Sequence, residues 1–124
     1  MEDLSIEAAE IFEDLLQNPL IDIESLSFQL MAYQEQLREE IAQSEFVDEE
    51  LAETIYARAM ELLERVASDY DEHDHTYAQA AVFYYMELHD EEQDLGSPVG
   101  FDDDRDVFNA VVTELGHDDL IIGF

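Results

Sequence analysis

The chain predicts an all-α, single-domain bundle of about five helices, with one long acidic loop ahead of the last helix. Three observations lead there. Apolar residues recur at helical steps of three and four, as in Leu26, Leu30, Tyr33, Leu37 and Ile41. Only 4 glycines and 2 prolines punctuate the 124 residues, too few for many short strands and tight turns. The apolar fraction is 47%, with 7 Phe and 6 Tyr, enough to fill one core, whereas highly charged disordered chains lack such residues. A chain of this length forms one domain, here residues 1–124, with no internal linker or repeat.

The first helix is expected over 5–17. Leu4 and Ser5 supply a staple and a cap, and Ala8, Ile11, Phe12, Leu15 and Leu16 make one face. Asn18-Pro19 ends it. The second starts after Asp22 and runs to about 44 on its leucine-rich stripe. Phe46-Val47-Asp48 restarts the chain with Asp48 as N-cap, and Leu51, Ile55, Ala59, Leu62, Leu63 and Val66 define a third helix to Ser68. Residues 69–75 are polar and acidic and read as a loop before a fourth helix over 76–88. That helix is rich in aromatics, with Tyr77, Phe83, Tyr84 and Tyr85 among small alanines.

Residues 90–102, with Gly96, Pro98 and Gly100, form the long loop, the kind of segment that carries function disproportionately. The last helix opens at Asp102-Asp103-Asp104, where carboxylates meet the positive end of the macrodipole. Val107, Phe108, Val111, Val112 and Leu115 give its buried face, and Gly116 its C-terminal cap. The apolar tail Leu120-Ile121-Ile122 is expected to pack back on the bundle.

Residues 80–116 resemble the YkvA-like family. The matching residues are Tyr84 or Tyr85 near the end of one helix, Asp90 and Asp94, Gly100, and Asp103-Asp104 opening the next. The chain departs from the family pattern at Glu91-Glu92-Gln93, where an apolar residue and a proline are usual. The resemblance implies two helices around a loop. It implies no activity, since the family is functionally uncharacterised.

Charge sets the functional limits. With 34 Asp and Glu against 4 Arg and no Lys, the formal net charge is −30. Direct binding to nucleic acid or to an anionic membrane needs a basic face that four arginines cannot make. Without cysteine there is no disulfide, thiolate nucleophile or Cys-based metal site. The first ten residues lack a basic n-region, and no apolar run approaches a membrane span, so a cytoplasmic, non-membrane protein is expected.

Chemistry concentrates in the acid cluster Asp90, Glu91, Glu92, Asp94, Asp102, Asp103, Asp104 and Asp106. Like charges about 4 Å apart repel by roughly 1 kcal/mol even in water, so the cluster favours a cation. Mg²⁺ or Ca²⁺ would suit the oxygen ligands, but no EF-hand spacing is present, and no metal or cofactor is assigned. The plain alternative is that Asp102 or Asp103, together with Asp106, caps the helix N-terminus while the rest are solvated. His73-x-His75 lacks the second histidine pair of a transition-metal site. No nucleophilic triad or phosphate loop is evident, since Gly96-Ser97-Pro98-Val99-Gly100 is not followed by Lys, and no enzyme is expected. Tyr84 and Tyr85 point about 100° apart, so one is expected in the core and the other exposed beside the acids, as a hot spot for a basic partner.

Two functions follow from the charge. One is a binding protein that engages a cationic protein, DNA-binding or nuclease, by DNA-like charge mimicry, as inhibitor or immunity partner. The expected contact residues are Tyr84, Tyr85 and the eight acids above. The other is adaptation to high salt, favoured by the even spread of acids: 15 in residues 1–50, 12 in 51–100 and 7 in the last 24. Against it, Glu (19) exceeds Asp (15), only 3 Thr are present, and 8 Ile remain. The oligomeric state is open: the second helix offers a pairing face for a dimer, though Glu35, Glu39 and Glu40 oppose it.

Overall fold

The computed structural model describes residues 6–43, 49–88 and 102–123. Within them lie α1 (Ile6–Leu15), α2 (Ile23–Ile41), α3 (Glu49–Ser68), α4 (Glu72–Leu88) and α5 (Asp102–Glu114), then one 3-10 turn, Asp118–Leu120. The architecture is the expected all-α bundle, and no strand occurs among the described residues. The expected caps Ser5 and Asp48 and the acidic loop itself lie outside the described residues.

Three helices bury the stripes their sequences carry. In α1 these are Ala8, Phe12 and Leu15; in α2 Leu26, Leu30, Leu37 and Ile41; in α3 Ala52, Ile55, Ala59, Leu62, Leu63 and Val66. Asp22 caps α2, its two carboxylate oxygens accepting from the Ser25 amide and hydroxyl at 2.9 Å each. Those two bonds hold its carboxyl below the usual aspartate range.

The centre is α4, which packs against α1, α2, α3 and α5. Such a helix has no wet face over its middle turns, and Ala78, Gln79, Ala80, Ala81 and Val82 are all buried in succession. It also begins at Glu72, four residues ahead of the expected start. The Asp71 carboxylate accepts from the amides of His73 (2.9 Å) and Asp74 (3.2 Å), so the polar run is a helix cap and first turn instead of a loop.

Two buried polar residues on α4 fasten the α1–α2 connection. Gln79 accepts from the Ile21 amide (2.8 Å) and donates to the Pro19 carbonyl (2.9 Å). One turn earlier, His75 Nε2 donates to the Ile21 carbonyl (2.7 Å), since a carbonyl only accepts. Loop backbone that helix hydrogen bonds cannot satisfy is thereby satisfied by side chains.

At the other end, α5 stops in a Schellman motif. Gly116 takes φ +82°, its amide donates to the Thr113 carbonyl (3.2 Å), and the His117 amide donates to that of Val112 (2.7 Å). The tail then packs back as expected: Leu120 and Ile122 are buried, while Ile121 faces water. Asn109 clamps it by donating to the Ile122 carbonyl (3.0 Å) and accepting from the Ile122 amide (2.8 Å).

Candidate functional site

Tyr84 and Tyr85 correct the sequence expectation, for each is only 2% exposed. They do point in different directions, but α4 has packed helices on every side, so both directions lead into protein. Neither is available to a partner.

Tyr85 instead heads a polar chain that runs outward between α2 and α3. Its hydroxyl donates to Gln34 Oε1 at 2.7 Å, with the Ala52 carbonyl at 3.3 Å. The fully buried Gln34 passes its Nε2–H to Glu53 (3.0 Å), and Glu53 receives a two-pronged contact from Arg38 at 2.7 and 2.8 Å. Arg38 also donates to Glu35 (2.9 Å) and sits 5.4 Å from the centre of the Tyr56 ring. The Arg38 guanidinium holds the Glu53 carboxyl below its ordinary range against part burial, with the Gln34 amide assisting. Burial pushes the Tyr85 phenol well above the usual tyrosine range, and the negative charges of Asp104 and Glu53 push it further. This phenol is neutral at physiological pH and is a buried hydrogen-bond donor within the core.

The predicted acid cluster divides. Asp90, Glu91, Glu92 and Asp94 lie outside the described residues, as does the Asp102 side chain. Asp104 is 3% exposed and turns toward the core, close enough to act on Tyr85, so it is no part of a docking face. Asp103 is exposed, and Asp106 is partly exposed with Arg105 Nε 3.7 Å away.

The His73-x-His75 pair also separates. His75 is buried with both ring nitrogens engaged, Nε2 by Ile21 and Nδ1 by the Tyr70 hydroxyl at 2.9 Å. His73 stays exposed, its ring tilted by 38° against that of Tyr77 with centroids 4.6 Å apart, and Asp71 and Asp74 are its carboxylate neighbours. That trio brings one ligand atom each within 4.8 Å of the others, but Asp71 is already occupied as the helix cap.

An exposed aromatic among acids does exist, on a different helix. Phe28 is 63% and Met31 45% exposed on the outer side of α2, opposite its leucine stripe. They lie at helical spacing from Glu24, Glu35 and Glu39. The neighbouring α2–α3 groove, about 480 Å³, has Ile23, Met60 and Leu63 in its lining and the carboxylates of Glu24, Glu61 and Glu64 around them. No arginine lines it. Adjoining it on α3, and sharing Ala57 and Glu61 with it, a second groove of about 570 Å³ contains Arg58 and Arg65 among its acids. There Arg65 grips Asp119 in two bonds (2.9 and 2.6 Å) and lies 3.4 Å from Glu61. The signal for Phe28 was in the sequence: it falls two residues from both Leu26 and Leu30, off their stripe.

No protein-family model, curated protein or solved structure matches this chain.

Proposed function

We propose that this is an acidic binding protein that engages a cationic, nucleic-acid-binding protein through DNA-like charge display, acting as an inhibitor or immunity partner. One observation carries the proposal: a net charge of −30 on a helical scaffold on which two of the four arginines are already neutralised by carboxylates of the same chain. Arg38 is committed to joining α2 to α3, and Arg65 to joining α3 to the C-terminal tail. A domain of this length is roughly 35 Å across, and duplex DNA of that length carries about 20 phosphate charges. The carboxylate density is therefore of the order that a DNA-binding cleft is built to meet, with fast and salt-sensitive association.

Retention and competition test it. The immobilised protein should retain nucleic-acid-binding proteins from a lysate at about 0.1 M salt, and duplex DNA should elute them. An empty eluate, or bound proteins indifferent to DNA, contradicts the proposal.

The dispersal of carboxylates over the outer faces of α1, α2 and α3 supports a second reading, in which acidity serves solvation at high salt. A salt-adapted domain unfolds below about 1 M KCl and recovers as salt is added. One that is well folded at about 0.1 M rules that reading out.

A further inference from the structure

We infer that the partner docks on the α2–α3 face, and that the element it contributes is a basic amphipathic helix. The inference rests on the proposed function and says where and how that contact is made. Phe28 and Met31 are exposed on α2, and Met31 continues the row of Glu24 and Ser27, which line the groove, by one more turn. Ile23, Met60 and Leu63 line the groove with Glu24, Glu61 and Glu64, and past Ser27 at its α2 edge Met31 and Phe28 carry a strip of exposed apolar surface onto the outer side of that helix. Among the described residues Glu24 and Glu64 have no cationic partner, and the groove has no arginine of its own.

That arrangement discriminates between occupants. A second copy would bring the same carboxylates against themselves, and nucleic acid or an anionic lipid surface would add negative charge to negative. A purely cationic chain would leave Phe28 and Met31 uncovered. A helix with one apolar face and Lys or Arg along its edges satisfies both, its side-chain stems lying over the strip and its charged heads on the glutamates. The apolar anchor also separates this contact from charge display alone, because salt does not screen it.

Two fluorescent peptides of equal length and charge test the inference by anisotropy at about 0.1 M salt: an amphipathic Leu/Lys helix and a Ser/Lys chain. The wild-type protein should bind the first more tightly. Phe28→Ser with Met31→Ser should weaken the first by about ten-fold and leave the second unchanged. Glu24→Gln with Glu64→Gln should weaken both. These positions are exposed, and unchanged circular dichroism establishes that each variant is folded. If the Phe28/Met31 variant binds the amphipathic helix as wild type does, or the Glu24/Glu64 variant loses nothing, the docking face is wrong while the proposed function stands. If wild type binds neither peptide, the proposed function itself fails.

Discussion

Replacing Tyr85 by Phe separates a core hydroxyl from a binding hot spot. The ring keeps its packing, including the edge-on contact with Tyr33 at 5.4 Å, and loses only the hydroxyl that donates to Gln34 at 2.7 Å. Gln34 is fully buried, so its Oε1 loses a donor where water cannot replace it. A buried acceptor left in that state costs about 1–3 kcal/mol. For a domain of this size each kcal/mol moves the midpoint by about 4 °C, giving a fall of about 4–12 °C in thermal unfolding followed by circular dichroism. Adding Gln34→Leu removes the stranded acceptor as well, so the double variant should be more stable than the two single losses summed. The raised phenol adds a pH signature. Stability from a neutral tyrosine is complete below its unfolded value of about 10 and is lost as pH climbs beyond it, and Tyr85→Phe should lose that alkaline limb. A midpoint equal to wild type would refute the buried chain. Normal stability with lost partner binding would return Tyr85 to the role its sequence context implied.

Further outcomes follow from the same structure. Gly116→Ala should cost about 1 kcal/mol, seen as a lower midpoint, because φ is +82° while no atom lies within 4 Å of the added methyl; Gly116→Asn should cost less. Arg38 lowers the Glu53 pKa, so the stabilisation is present above the unfolded glutamate value and lost as pH falls through the folded one. The midpoints of wild type and Arg38→Gln should therefore differ at neutral pH and converge below about pH 4. Asn109→Ala removes both bonds to Ile122 and should raise amide exchange over the C-terminal tail before exchange rises in α3.

Helix positions were legible where a helix has one buried face. The stripes of α1, α2, α3 and α5 recur at three and four because one side meets the core and the other meets water. For α4 that rule loses its basis. Enclosed by four helices, its middle turns bury successive residues, so periodicity cannot say which tyrosine is outside. Its start was obscured for a related reason: Asp71 and His75 read as loop polarity, but one caps the helix and the other satisfies buried backbone. Asp104 likewise reads as one more surface acid in a run, and only the packing of α5 turns it inward. The exposed Phe28 was recoverable from the stripe it misses, whereas the groove beside it depends on how α2 and α3 pack.

Competition against DNA bears most directly on the central claim. A fluorescent duplex is bound to a basic DNA-binding protein retained by this chain, and the chain is then titrated in. Charge mimicry predicts complete displacement of the duplex, with an apparent affinity that falls steeply and linearly in log salt. A ternary complex that keeps the duplex bound, or displacement insensitive to salt, contradicts it.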